Sequence, residues 1–302
     1  MSFKLKKLIN DELNIKNSNH IYAISLSISE VIFTITIASL VKLIAGELSV
    51  FLVLFFRYLF CIPLLVLTAI YQRGKDALSI KSKKGLALRS ITGLASFGSL
   101  FAALQYIDLS LMTILFQTMP LFVVILAPIL IKETVSWFRK ILAVIGFIGI
   151  IFILNPGTDG WLNLGSILGI MCPFFGALML ISVRKLGQTD HPASTALWYN
   201  IFGAIVFLII SILNNVQWPQ FDGLLLILCI IGIASSFQQI CLAQSHKLAP
   251  ASLLAPLRYI SVPIGILIGV YFFKDSLSIN FFVGTAIIVF STFIIIRSEV
   301  KK

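Results

Sequence analysis

Residues 108–133 read DLSLMTILFQTMPLFVVILAPILIKE, and residues 250–275 read PASLLAPLRYISVPIGILIGVYFFKD. Each stretch holds about twenty apolar residues, enough to cross ~30 Å of hydrocarbon at helical rise. Each has a serine at its third position (Ser110, Ser252), two prolines after it (Pro120 and Pro128, Pro256 and Pro263) and closes on a lysine followed by an acid (Lys132-Glu133, Lys274-Asp275). The offset that carries Ser110 onto Ser252 also carries Glu133 onto Asp275. The chain therefore reads as a duplicated unit, with this span fourth in the first copy and ninth overall.

Working outward, eight more apolar runs fall between polar breaks. The ten spans are Ile21–Val41, Ser49–Tyr71, Leu86–Ile107, Leu111–Ile131, Ile141–Leu154, Leu164–Leu186, Ala193–Leu213, Leu224–Ser245, Leu253–Phe273 and Phe281–Ile296. The fifth and tenth are short and are expected at the edge or with little tilt. Five spans per copy is an odd number, so the second copy must insert upside down. The expected fold is all-α and integral to the membrane: ten transmembrane helices as a 5+5 inverted-topology repeat. Its expected parts are a cytoplasmic tail over 1–19, repeats over 20–155 and 156–297, and a short cytoplasmic tail over 298–302. Composition agrees: 59% of residues are hydrophobic, only 12% are charged, and mean hydropathy is +1.03. A soluble globule is closer to half apolar and a quarter charged.

The cations orient the bundle. Lys4, Lys6, Lys7, Lys16, Arg73, Lys75, Lys81, Lys83, Lys84, Arg89, Lys132, Arg139, Lys140, Arg184, Lys185, Lys247, Arg297, Lys301 and Lys302 fall on one side of a ten-span chain, against Lys42 and Lys274 on the other. The positive-inside rule puts that richer side, and both termini, in the cytoplasm of a cell whose inner membrane the chain crosses. The net charge of +11 is thus a topology signal and asks for no nucleic acid. Met1–Asn19 is polar and basic, with no short apolar core before a small-residue cleavage site, and reads as a solvated tail rather than a signal peptide. Cys61, Cys172, Cys229 and Cys241 lie inside spans at no metal or redox spacing and read as packing residues. Gly146 and Gly149 follow no strand and lack a P-loop Lys-Ser/Thr, so they read as helix contacts. Trp161 and Trp218 read as interfacial belt residues.

Charges inside hydrocarbon cost about 2.5–3.5 kcal/mol each on insertion scales and ask for a reason. Glu30 in the first span and Arg57 in the second lie ~13 Å and ~12 Å from opposite faces at helical rise, a depth at which they can form an ion pair. Two readings stand: Glu30 binds a cationic group or a coupling proton while Arg57 holds an anionic group, or the pair is a structural clamp. Arg258 in the ninth span follows Pro256 and precedes Tyr259, a setting for a carboxylate or a planar ligand, with snorkelling to water as the alternative. Three polar rows at helical spacing face a common interior: Ser27, Glu30 and Thr34; Thr113, Gln117 and Pro120; Ser235, Gln238 and Gln239. Trp198-Tyr199-Asn200 offers a further wall. The candidate substrate-binding set is Glu30, Arg57, Gln117, Tyr199, Gln239, Arg258 and Tyr259. No cluster in the spans suits catalysis or a metal, and no cofactor is expected. A channel would need rings of like charge or a filter loop, usually in an oligomer.

Several runs, in order, carry a resemblance. They are Val41-Lys42, Phe55-Phe56-Arg57-Tyr58-Leu59, Ala102-Ala103-Leu104-Gln105-Tyr106, Thr118-Met119-Pro120-Leu121-Phe122 and Lys132-Glu133-Thr134-Val135-Ser136. In the second half Ala249-Pro250-Ala251-Ser252-Leu253-Leu254-Ala255-Pro256, Tyr259 and Phe272-Phe273-Lys274-Asp275 follow. Over nearly its whole length the chain resembles the EamA-like branch of the drug/metabolite transporter superfamily. It departs where Phe273-Lys274-Asp275 replaces the usual Phe-Gly-Glu. The resemblance implies a secondary carrier of small metabolites, amino acids or drugs that hydrolyses no ATP. The pattern of Lys42 and Arg57 resembles carriers of S-adenosylmethionine or riboflavin. The expected function is alternating-access transport of a small polar or zwitterionic metabolite, such as an amino acid or S-adenosylmethionine, with export of drugs or metabolites as the alternative. Expected partners are that small-molecule substrate, the lipid bilayer and a coupling proton, with a homodimer left open.

Overall fold

A computed structural model describes residues 3–131, 135–154, 163–218, 223–248 and 255–300. Its helices are α1 (Phe3–Leu43), α2 (Val50–Arg73), α3 (Lys83–Ala103), α4 (Leu109–Phe116), α5 (Met119–Ile131), α6 (Trp137–Leu154), α7 (Leu164–Leu186), α8 (Pro192–Leu213), α9 (Gly223–Leu248), α10 (Ser261–Phe273) and α11 (Ile279–Val300). Short 3₁₀ turns occupy Gly74–Asp76 and Ala255–Ile260. Among the described residues eight segments are long and apolar enough to cross a membrane, and the shorter apolar helices Ser261–Phe273 and Ile279–Ile295 complete a ten-span bundle. Apolar rows such as Val144, Ile148 and Ile151 on α6 and Ile205, Ile209 and Ile212 on α8 stay exposed on the bundle's outside. Such a surface suits lipid and not water.

The boundaries differ from the sequence reading in three places. The first helix starts at Phe3, upstream of its apolar part Ile21–Leu43. The two short spans are longer than expected, 18 residues for α6 and 22 for α11, because polar and interfacial residues at their ends continue the helical turn. The fourth and ninth spans, expected as continuous helices, are broken. Pro120 has no N–H to donate to the Phe116 carbonyl, and its ring collides with that group in a continuing helix. So α4 stops at Phe116, Gln117 and Thr118 close two tight turns onto Ile114 and Leu115, and α5 restarts at Met119. In the ninth span a 3₁₀ turn precedes α10, and Pro263 sits in the first turn of α10, where its missing N–H costs nothing. Glu133, Ser252 and Trp161 lie outside the described residues.

The packing repeats itself. A shift of 142 residues, from 110 to 252 and from 133 to 275, carries α1 onto α7, α3 onto α9, α2 onto α8 and α6 onto α11. The principal helix pairings are α3 with α7, α6 with α11, α2 with α8 and α1 with α9. Under that shift the first and last exchange, and the other two map onto themselves. Single contacts obey the same rule. Glu30 meets Gln238, and the shifted pair, Cys172 and Ser96, also meets. A Cβ on Gly146 would lie 2.8 Å from Ser291, and one on Gly149 2.8 Å from Ile288. These two contacts are images of each other, and they make the two glycines the close-packing contacts of α6 with α11. Pairings that map onto themselves mark a pseudo-two-fold axis passing between α2 and α8 and between α6 and α11.

Candidate functional site

On α1, Glu30 and Thr34 stand one turn apart on an inward face, with Glu30 only 5% exposed. Thr34 Oγ1 donates to the Glu30 backbone carbonyl at 2.8 Å and lies 3.3 Å from Glu30 Oε1. From α9, Gln238 Nε2 donates to the same Oε1 at 3.2 Å. A third group arrives from the broken ninth span: Arg258 Nη2 stands 3.6 Å from Glu30 Oε1. That distance makes an ion pair without a hydrogen bond. Arg258's side chain is 31% exposed while Glu30's is 7%.

The backbone that carries Arg258 is tied down. Its carbonyl accepts from Gln117 Nε2 at 2.6 Å and from Ser261 Oγ at 2.7 Å, and Gln117 Nε2 also reaches Ser261 Oγ at 2.6 Å. The two broken spans therefore meet here, and Gln117 of the fourth supplies a partner for the carbonyl that the interruption of the ninth leaves open. Non-helical backbone at membrane depth is tolerated where it is buried in protein or lines a cavity. A small cavity of about 50 Å³ opens beside the crossing. Glu30, Thr34, Thr113, Gln117, Arg258 and Ser261 are its polar lining, set in an apolar wall that includes Ile35, Leu100, Met112 and Phe116.

Of the residues read from the sequence, Glu30, Gln117 and Arg258 share this cavity. The expected ion pair between Glu30 and Arg57 is not formed; Glu30's ion-pair partner is Arg258. Depth was matched but direction was not. α1 packs on α9 and the 3₁₀ turn, whereas Arg57 is 1% exposed among rings of α2 and α3. Its guanidinium carbon lies 4.1 Å from the Phe97 ring centre, 4.7 Å from Tyr58 and 5.8 Å from Phe101. Tyr199 joins that cluster, its hydroxyl 2.8 Å from the Tyr58 hydroxyl. Gln239 faces away from Glu30 and exchanges hydrogen bonds with Asn200 at 3.1 and 3.3 Å. Successive helix residues diverge by ~100°, so Gln238 takes the position at Glu30. Tyr259's side chain lies outside the described residues. Thr34, Gln238 and Ser261 were the partners sequence reasoning left out of the candidate set, although the polar rows on the first and eighth spans held the signal for two of them.

The two ends of the bundle are fastened differently. At the end opposite the chain termini, Asp275 Oδ2 accepts from the Ser110 N–H at 3.0 Å and its hydroxyl at 2.7 Å, capping α4. Lys42 Nζ donates to the Ile107 carbonyl at 2.7 Å. Burial, and then the charge of Asp275, push the neighbouring Asp108 carboxyl above its ordinary range, against the opposing pull of Lys42. At the termini's end, Asp190 takes the N–H groups of Lys81 and Ser82 at 2.5 and 3.0 Å and the Thr189 hydroxyl at 2.7 Å. Partial desolvation opposes those bonds, yet they hold the Asp190 carboxyl below its ordinary value.

Comparison with known proteins follows the same outline. The model of the EamA-like transporter family matches twice, over residues 20–155 and 163–297. An S-adenosylmethionine uptake transporter of Rickettsia prowazekii is 26% identical over 261 residues, 86% of this chain and 87% of that protein. A riboflavin transporter of Vibrio cholerae is 31% identical over 188 residues, 62% of each. An uncharacterized transporter of Helicobacter pylori strain J99 is 29% identical over 229 residues, 72% of this chain and 76% of that one. A crystal structure 15% identical superposes with a TM-score of 0.64 over 93% of this chain and 99% of that one, a likeness of fold.

Proposed function

The chain belongs to the EamA-like transporter family, and from that premise we propose that it carries a small metabolite with a positively charged centre and an apolar or planar body, of the S-adenosylmethionine type. The observation that carries this reading is Glu30: a carboxylate 5% exposed, given donors by Gln238 and Thr34, on the wall of an otherwise largely apolar cavity. A carboxylate placed there attracts a cation, and the wall of Met112, Phe116, Ile35 and Leu100 receives the rest of the molecule. The rickettsial relatives named for S-adenosylmethionine uptake agree with that chemistry.

Transport proceeds by alternating access. The two inverted halves rock about the axis between α2 and α8, and the cavity opens to one side and then the other. The lysine and arginine distribution supports termini in the cytoplasm and a protein in the cytoplasmic membrane.

Riboflavin is the second reading, favoured by the apolar wall and by the Vibrio relative. Riboflavin carries no cation for Glu30. Uptake of labelled S-adenosylmethionine, riboflavin and amino acids into proteoliposomes, with and without an imposed pH gradient, separates the readings. The expected result is saturable S-adenosylmethionine uptake, reduced about 100-fold in Glu30→Gln; loss of one well-made charge contact is worth up to about 3 kcal/mol. Riboflavin uptake insensitive to Glu30→Gln, with no movement of cationic substrates, overturns the proposal.

A further inference from the structure

A carrier that binds a cation through a buried carboxylate faces a difficulty when the site is empty. To return, it must pass through a state closed to both sides, with the carboxylate desolvated and its charge uncompensated. Buried ions without partners are strongly disfavoured, and each tenfold slowing of a step corresponds to about 1.4 kcal/mol of barrier. A site of this kind, left bare with its carboxylate ionised, returns only when loaded and so performs exchange alone.

The cavity here holds its own cation. Arg258 Nη2 lies 3.6 Å from Glu30 Oε1, the oxygen that Gln238 and Thr34 also address. The geometry suits a partner that comes and goes. The Arg258 carbonyl is pinned by Gln117 and Ser261, so the chain at its base is fixed. Among the described residues the head is held by charge without a hydrogen bond, and the side chain is 31% exposed. The same shift of 142 residues that relates the halves puts Phe116 at the position of Arg258 and Cys172 at that of Glu30. The opposite half thus offers neither charge, and the compensation is a property of this one cavity.

We propose that Arg258 is a built-in surrogate for the substrate's cation: it neutralises Glu30 in the empty carrier, lets the empty carrier reorient, and is displaced when substrate binds. The protein is then a net transporter and not an obligate exchanger. This rests on the reading of Glu30 as the cation site. Arg258 acts through Glu30 and is a positioning residue in this role.

Two measurements test it. In proteoliposomes, uptake of labelled S-adenosylmethionine into empty vesicles is compared with uptake into vesicles preloaded with the unlabelled compound. Arg258→Gln raises the ratio of exchange to net uptake at least about tenfold, corresponding to about 1.4 kcal/mol in the return barrier, and Arg258→Lys restores the parent's ratio. An unchanged ratio in Arg258→Gln overturns the proposal. Absence of any S-adenosylmethionine movement in the parent counts against the proposed function only, and the second measurement still decides the inference. It uses no substrate. A cysteine at Ala38 on the cavity wall is labelled with a membrane-impermeant maleimide added to one side of oriented vesicles or the other, with the chain lacking that cysteine as control. With Arg258 present the label arrives from both sides; with Arg258→Gln it arrives from one. The double variant Glu30→Gln/Arg258→Gln, its site again neutral, regains labelling from both sides. Two-sided labelling of Arg258→Gln, or failure of the double variant to recover it, overturns the surrogate role.

Discussion

Asp275 and Ser110 are joined twice, by the backbone N–H at 3.0 Å and the hydroxyl at 2.7 Å, across two spans that sit at equivalent places in the two halves. The carboxylate serves as the N-terminal cap of α4 from another helix's end. Lys274 turns the chain through a left-handed conformation, φ 59°, to aim it there, and the Asp275 N–H returns to the Gly269 carbonyl. A side chain on Gly269 has no room, because its Cβ collides with the Asp275 carboxylate and the Ser110 hydroxyl. Gly269→Ala and Asp275→Asn are both expected to destabilise the fold, by about 1–2 kcal/mol for the lost cap. Thermal unfolding in detergent measures it. A Gly269→Ala protein as stable as the parent contradicts the packing described.

Asp108, next to this cap, gives a pH signature. Its carboxyl is raised in the fold, by burial and by Asp275. A raised carboxyl means the folded state binds its proton more tightly than the unfolded chain. The associated stability is present below the ordinary aspartate range and is lost as pH rises through the raised value. At neutral pH Asp108 is therefore a liability. Asp108→Asn is expected to raise the midpoint of thermal unfolding at pH 7 and to leave it unchanged near pH 4. Asp190, held low by its hydrogen bonds, has the opposite sign: Asp190→Asn lowers the midpoint at pH 7, and the difference shrinks as pH falls below the ordinary aspartate range. Parallel pH series on the two variants check both signs.

Gln117 spans the crossing of the broken helices with donors to the Arg258 carbonyl and the Ser261 hydroxyl. In water-soluble proteins an unmet buried partner costs about 1–3 kcal/mol. In membranes, side-chain hydrogen bonds average about 0.6 kcal/mol, because the unfolded reference finds partners too. The membrane value governs here, and Gln117→Leu is expected to lose only about 1 kcal/mol of stability. Arg258's base is then less firmly held, and the ratio of exchange to net uptake rises. Denaturation and the paired uptake assays measure the two effects on one variant.

Arg57 is a buried cation among rings, with no hydrogen-bond partner for Nε or Nη1 among the described residues. Cation–π contacts contribute about 0.5–2 kcal/mol each, while burying a charge costs several. Three such contacts and a hydrogen bond to Tyr199 are together of the same size as that cost, so Arg57→Met, which keeps the volume, is expected to unfold close to the parent's temperature. Arg57→Ala, which leaves a hole, is expected to unfold lower. A Met variant well below the parent shows that the rings outweigh desolvation.

The sequence by itself determined the number of spans and the duplication with its odd unit. Those features rest on one-dimensional quantities: run length, charge placement and the spacing of Ser, Pro and acid residues. It also showed that Glu30, Arg57 and Arg258 lie at membrane depth, because depth follows from helical rise along a single span. Which of the three meet was decided only by tertiary structure. Partnership depends on the direction each side chain takes around its helix and on which helix stands opposite, and no count along the chain contains either. Arg57 lies at the right depth for Glu30 but points into the rings of α3, while Arg258 reaches Glu30 because the ninth span breaks and turns its backbone beside Gln117. The break in the fourth span was written in Pro120. That it forms the crossing point of the two halves became visible only once they were packed together.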